Sequence, residues 1–420
     1  MAKPAFKPYQ QRQLMLLPPD ISELVPGDSV ARVVDAVVEA LDRERLVALY
    51  PGGGAPAHDP AMMLKVVLFP YASGIYSSRK IARATRENVC LMWLTGMTPP
   101  DHATINRFRS DRIRPAFEAI FTELVALLAE KGMLDLSTYF LDGTKIEANA
   151  NRYTFVWRKA VEGNRAKLQA KVRAHLEEVD RLCGAEESLA ALLPEEDAEV
   201  TSGDVARVAG AINARLEGSP KSRPLKRAKR LVERDFLPRL GGYESRAAEI
   251  GGGRGSLSKT DPDATFMRMK EDHMGNGQLK AAYNVQVGTQ NQVVVHATLH
   301  QRPGDTACAV PHLESLRAQF GGLPHTLVAD AGYGSEGNYE WLRAEGVEAF
   351  VKYGNYHREQ RPKFKRDPTK PKNWSYDEAS DAYTCGFGRR LAFVCERGER
   401  SDLGHVGRTR HYRCEDCSGC

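Results

Sequence analysis

Two acidic residues stand where β-rich segments break: Asp142 inside the run STYFLDGTKI, Ser137 to Ile146, and Asp330 directly after the apolar run from His325 to Ala329. A carboxylate in a strand, or at the end of one, is unfavourable unless something compensates it, so both are candidates for chemistry. Two such groups side by side repel each other unless cations share them, and hard oxygen donors suit Mg2+ or Mn2+. A pair of ions roughly 4 Å apart activates the attacking oxygen and steadies the leaving oxygen of an in-line phosphoryl displacement. Read singly, Asp142 is more simply a strand-end turn residue and Asp330 a helix cap. Read together, at matching ends of two central strands, they form a metal site.

Positioning them requires a sheet, and the chain offers one in pieces. Ser137 to Ile146 is followed by a helical stretch from Asn164 to about Gly251 and by a joint at Gly251, Gly252, Gly253 and Gly255. Ala281 to Thr289 and Gln292 to Gln301 then form a hairpin turning at Gln290 and Asn291, Asp305 to Phe320 a helix, His325 to Ala329 a buried strand, Asn338 to Glu345 a helix and Glu348 to Lys352 a strand. The order is β-β-β-α-β-α-β, with antiparallel early strands and parallel later ones. That is the order of a ribonuclease-H-like domain with a helical insertion, and it makes the first and fourth strands neighbours, bringing Asp142 beside Asp330.

The first 140 residues read as helices. Asp28 caps one whose face is Val30, Val33, Val34, Val37, Val38 and Leu41; Asp59 and Pro60 start the next, Ser77 opens a basic one and Asp101 caps another. Between Ser77 and Arg114 there are eight bases (Arg79, Lys80, Arg83, Arg86, Arg107, Arg109, Arg112, Arg114) against three acids. Short Arg-bearing helices separated by tight turns are what a helix-turn-helix reader of DNA needs, and Arg79, Lys80, Arg83, Arg107, Arg109 and Arg112 are its candidate contacts. A solvated basic face on a helical bundle explains the same pattern equally well. Pro115 to Lys131, with Phe117, Ile120, Phe121, Leu124, Val125 and Leu128, reads as core. A second basic cluster runs from Lys221 to Arg234, within an arm carrying Leu168, Val172, His175, Val179 and Leu182 and then Val205, Val208, Ile212 and Leu216.

With 420 residues the chain holds several domains, and 42% hydrophobic with 27% charged residues excludes disordered and collagen-like classes. The longest apolar run, Met62 to Tyr76, is broken by Lys65 and Pro70, so no membrane span is expected, and the N-terminus lacks the apolar core of a signal peptide. A cytoplasmic, nucleoid-associated protein is the expectation. Five of eight cysteines lie between Cys385 and Cys420, which fits metal or plain thiols better than a disulfide framework. The closing C-x2-C-x2-C, with Cys385 upstream, has partial zinc-site character: Cys385, Cys414, Cys417 and Cys420 could hold Zn2+, or stay unliganded.

The segments LDGTKIEANANRYTFVWRK around Asp142, KTDPDATFMRMKEDHMGNGQLKAAYNVQ after the glycines and VADAGYGSEGNYEWL around Asp330 resemble bacterial insertion-sequence transposases of the DDE type, in the branch with an N-terminal helical DNA-binding domain. The similarity extends over nearly the whole chain from TPPDHATINRFR onward. It implies Mg2+-dependent cutting and joining of DNA, in which water attacks a phosphodiester at an element end and the freed 3'-hydroxyl attacks target DNA. It implies Asp142 and Asp330 as the first two catalytic acids, element-end and target DNA as partners, and a homo-oligomer on DNA. The family's third acid is a glutamate on a helix after the last strands, and nothing here matches it. Glu396, Glu399 and Glu415 fall in a small β unit, so the expectation is a C-terminally truncated transposase, with a catalytically defective, DNA-binding remnant as the alternative.

The domains expected are a helical DNA-binding domain over 1–135, a catalytic core over 136–160 and 260–355, a helical insertion over 161–259, and a basic loop with an incomplete Cys-rich β module over 356–420. Asp261 and Asp263 orient the site or, more simply, cap a turn. His273, His296 and His300 lack metal-ligand spacing and read as structural. Tyr153 and Trp157 could stack on a flipped base, with a buried aromatic cluster as the default.

Overall fold

The computed structural model describes residues 20–50, 56–184, 188–195, 197–269, 275, 277–401 and 404–418. The chain divides into two compact units, Met1–Asp135 and Leu136–Cys420.

The first unit is helical: α1 (Val30–Glu39), α2 (Arg43–Val47), α3 (Pro60–Ala72), α4 (Ser78–Glu87), α5 (Val89–Leu94), α6 (His102–Arg107) and α7 (Arg114–Glu130). Asp59 accepts from the amides of Ala61 and Met62 with Pro60 in the first turn, and Asp101 accepts from Thr104, so both starts follow side-chain capping. The cap of α1 is Ser29, not Asp28, and the helix turns Ala31 and Val38 into the core while Val30 and Val33 face solvent. Lys65, which interrupts the apolar run, lies buried in α3 because its ammonium donates to Asp35 at 2.6 Å and Glu39 at 2.5 Å on α1. The helix expected from Pro115 is not separate: α6 runs through a π-helical turn, Phe108–Ile113, into α7. Of α7 only Val125 is buried, and Phe117 is exposed, so within this unit α7 is less of a core helix than its composition implies.

In the second unit, β1 (Thr138–Glu147) is the centre of a mixed sheet, unbroken by Asp142 and Gly143 because both pair with β5, Asp142 opposite Val287 and Gly143 opposite Gln286. A neck follows, in which β2 (Phe155–Trp157) pairs with β3 (Ser256–Ser258). Between them lies a helical block of α8 (Arg158–Cys183), α9 (Ser202–Gly218), α10 (Arg223–Leu231) and α11 (Leu237–Ile250), closed on its own core of Leu168, Val172, Leu176, Val205, Ile212 and Phe236. The stripe of α8 uses Leu176 rather than His175, and Leu182 is exposed, since 3.6-residue spacing carries the buried face one position on. The glycine stretch is a built corner instead of a flexible joint: the buried Arg254 guanidinium donates to the carbonyls of Glu249, Ile250 and Pro262.

The sheet continues with β4 (Thr265–Arg268), β5 (Leu279–Gln290), β6 (Val293–His300), β7 (Thr326–Ala329) and β8 (Glu348–Val351) in the order β4-β5-β1-β7-β8, with β6 on β5. β5 is antiparallel to β1, β4 and β6; β7 runs parallel to β1 and to β8. The hairpin turns at Asn291 and Gln292, both with positive φ, one residue later than the spacing predicts. Helices α12 (Ala309–Phe320) and α13 (Glu336–Ala344) provide the crossovers, and the architecture is a ribonuclease-H-like fold with a helical insertion. After two short helices, α14 (Tyr356–Glu359) and α15 (Pro362–Lys365), a four-stranded antiparallel sheet of β9 (Ser375–Asp377), β10 (Ala382–Thr384), β11 (Arg390–Arg400) and β12 (Val406–Cys414) completes the described chain. No helix among the described residues is long and apolar enough to cross a membrane.

Candidate active site

Parallel pairing of β1 with β7 sets Leu141 against Ala329, so the next residue on each strand is an aspartate: Asp142 and Asp330. Residues either side of Asp142 alternate, with Tyr139 and Leu141 buried and Phe140 and Asp142 exposed, which directs the Asp142 carboxylate to the open face of the sheet. Asp142 is thus a mid-strand residue and not a strand end. Its Oδ1 accepts from the Gly143 amide at 2.8 Å. Asp330 lies one residue past β7, where its Oδ1 accepts from the Gly332 amide at 2.8 Å and caps the 3-10 turn Ala331–Tyr333. The helix-cap role and the pairing with Asp142 therefore coexist in one residue.

A third carboxylate was not legible in the sequence. Asp305, expected to start a helix, precedes a 3-10 turn without capping it. Its Oδ1 accepts from the buried amides of Asn284 at 2.8 Å and Gln286 at 3.0 Å on β5. A Cβ placed on Gly143 would lie 2.7 Å from that same Oδ1, and one placed on Gly332 would lie 2.9 Å from Asp330 Oδ1 and 3.5 Å from Asp305 Oδ2. Gly143 is thus small because Asp305 and Gln286 come close, and Gly332 because Asp330 itself does. The one signal for it was Asn284 and Gln286 themselves, two amides at alternate positions of an otherwise apolar buried strand.

Tyr333 closes the network by donating its hydroxyl to Gln286 Oε1, and Asn338 donates to the carbonyls of Thr306 and Tyr333. Burial first, then the negative charges of Asp305, Asp142 and Asp330, push the Tyr333 phenol well above its ordinary range, so it stays a proton donor. The acceptors on offer, Asp142, Asp330 and Asp305, are carboxylates, a donor set that fits a hard divalent cation. Among the described residues no three His, Cys, Asp or Glu side chains converge closely enough to enclose an ion by themselves.

The remaining sequence candidates scatter. Both carboxylate oxygens of Asp261 accept from the Tyr283 hydroxyl, at 2.8 Å each, and Asp263 lies 3.5 Å from Gln301 Nε2. Trp157 packs with Phe155 and Phe266, whereas Tyr153 is exposed. His296 bonds Ser315, and His300 reaches His312 through Thr298. Glu396 and Glu399 lie in β11, paired with Arg408 and His411. Cys385, Cys414 and Cys417 are not joined in disulfides, and Cys414 Sγ lies 3.2 Å from the Asp416 carbonyl. His273 and Cys420 lie outside the described residues.

On the helical unit, Arg79, Lys80, Arg83 and Arg107 are exposed, Arg83 pairing with Glu87 at 2.7 Å. Arg109 stacks over Tyr71 and reaches the Tyr76 carbonyl, and Arg112 stacks over Tyr50 and donates to the Leu49 carbonyl at 2.9 Å. Those two guanidiniums are engaged in the packing of the unit.

Residues 19–111 match a transposase domain (DUF772), and residues 255–412 match a transposase DDE domain. No curated protein and no solved structure matches the chain. The sheet with Asp142 and Asp330 on adjacent central strands, together with the DDE match that contains Asp330 and Asp305, defines a polynucleotidyl transferase of the DDE class. With the transposase domain at its N-terminal side, the chain belongs to the DDE transposases of insertion sequences.

Proposed function

We propose that this transposase binds the ends of its element through the exposed bases of the helical unit and cuts and joins DNA at the Asp142–Asp330 pair with Mg2+ or Mn2+. The observation that carries the reading is the register Leu141–Ala329, which aligns the two acids on neighbouring parallel strands. Asp142 and Asp330 would hold the cation, which when bound supplies Lewis-acid activation of the attacking and leaving oxygens. The chain's own contribution is placement: the Gly143 and Gly332 amides each hold one carboxylate oxygen and so fix the direction in which the two acids face. Arg79, Lys80, Arg83 and Arg107 would grip phosphates and set the duplex in register without reading bases. Target DNA is the second substrate, more than one copy works on the DNA, and the setting is the nucleoid in the cytoplasm.

The experiment is cleavage of a labelled element end by the purified chain in Mg2+ or Mn2+, alongside Asp142→Asn and Asp330→Asn. Metal-dependent nicking lost in both variants supports the reading, and cleavage that survives in either overturns it. Binding of the element end without any metal-dependent cleavage in the wild type would favour the DNA-binding remnant instead.

A further inference from the structure

We propose that Asp305 is a positioning residue of the DDE site, a third carboxylate that supports the divalent ion without enclosing it; this rests on the Asp142–Asp330 reading above. The side chain is held from behind. Asn284 and Gln286, both fully buried, donate to Oδ1, and Gln286 is itself held by the Tyr333 hydroxyl. Oδ2 is turned to the Asp330 capping turn, within 3.5 Å of where a Gly332 Cβ would stand. Thr306, the next residue, donates to the Gly332 carbonyl at 2.7 Å and fastens the same turn from its other side.

Three features of this arrangement match the outer layer of a hard-cation site rather than simple packing. Burying two amide donors on β5 costs free energy unless an acceptor takes both, and a carboxylate does so with charge to spare. Its free oxygen lies beside the turn that Asp330 caps, and one carboxylate set near another gains from a nearby cation. Mg2+ and Mn2+ keep several waters when bound by few carboxylates, and a carboxylate set just behind the ligands can accept from those waters. The tight approach of Asp305 to Gly143 and its contact with the Gly332 turn hold it beside Asp330. Outer partners of this kind typically change metal affinity by about 10- to 100-fold when removed.

The test is calorimetric titration of the full chain with Mn2+, paired with thermal unfolding in metal-free buffer, for wild type, Asp305→Asn, Asp305→Glu, Asp142→Asn and the exposed control Glu314→Gln. Asp305→Asn should weaken Mn2+ binding by about 10- to 100-fold, with the metal-free Tm unchanged or raised, and Glu314→Gln should bind as wild type. Wild-type Mn2+ affinity in Asp305→Asn overturns the proposal. Should Asp305→Asn also lower the metal-free Tm, Asp305→Glu decides: affinity regained with the charge supports the role, and affinity as weak as in the Asn variant overturns it. Wild-type affinity in Asp142→Asn would instead remove the Asp142–Asp330 site, a separate failure read from a different variant.

Discussion

Tyr139 of β1 lies so close over Gly288 of β5 that a Cβ on the glycine would overlap the tyrosine hydroxyl and the ring carbons beside it. The ring is fully buried, and its hydroxyl is 2.7 Å from His312 Nε2 on α12. Strand, neighbouring strand and covering helix thus meet at one point, three residues before Asp142. Gly288→Ala should force the ring out of place and cost about 1 to 3 kcal/mol or more, read as a fall in the denaturation midpoint of the second unit. A midpoint equal to wild type would show that the sheet relaxes there freely.

Neutralising one member of a carboxylate pair removes repulsion as well as ligation. Asp330→Asn should therefore bind Mn2+ far more weakly than wild type while its metal-free unfolding midpoint holds or rises, because the side-chain amide still leaves a carbonyl oxygen to accept from the Gly332 amide. A large metal-free loss of stability would mean that capping dominates over repulsion at this residue.

DNA binding should separate the six bases into two groups. Replacing Arg79, Lys80, Arg83 and Arg107 with Ala should flatten the dependence of log K on log salt by about 0.9 for each phosphate no longer neutralised, with the helical unit still folded. Replacing Arg109 and Arg112 should instead lower the stability of that unit by about 1 to 2 kcal/mol, since the guanidinium contacts with Tyr71 and Tyr50 and the hydrogen bond to the Leu49 carbonyl are lost. Equal salt slopes for the first variant and wild type would take α4 and α6 out of the interface.

Burial pulls the Lys65 ammonium toward neutrality, but its bonds to Asp35 and Glu39 outweigh that and hold it charged. Asp35→Asn with Glu39→Gln should destabilise the first unit by about 1 to 3 kcal/mol, and Lys65→Met should cost less, since it leaves no buried charge behind. The comparison is of urea midpoints, and a larger loss for Lys65→Met would show that the ion pair itself contributes.

His312 gives the second unit an acid sensitivity. Burial, then the neighbouring His296 and His300, lower its pKa to about 3, against an ordinary 6.5. Between those values the unfolded chain binds a proton that the folded chain refuses, so stability falls as pH drops from 6.5 toward 3, by up to about 1.4 kcal/mol per pH unit. His312→Gln should have a flatter stability–pH profile over that window. A slope identical to wild type would assign the acid sensitivity to other groups.

Much of the site could be read without coordinates. Strand order follows from alternating and continuous apolar runs, and the handedness of crossovers then makes the first and fourth strands neighbours, which is how Asp142 and Asp330 come together across 188 positions of chain. Local capping chemistry placed α3 and α6, because Asp59 and Asp101 act on amides two or three residues away. Register and side-chain direction lay beyond such reasoning. Whether α1 buries Val30 and Val33 or Ala31 and Val38 is decided by what packs against it.

Asp305 marks the same boundary most clearly. Nothing near it in sequence distinguishes it from a helix-capping aspartate; its partners Asn284 and Gln286 lie about 20 residues away on another strand, and its neighbours Gly143 and Gly332 lie further still. Which arginines are engaged in packing was decided in the same way, by Tyr50 and Tyr71 rather than by charge. Local propensity and periodicity act over a few residues, so they determine the elements and their order; hydrogen bonds and close approaches between distant segments exist only once the sheet has closed, so only the tertiary structure could show what holds Asp305.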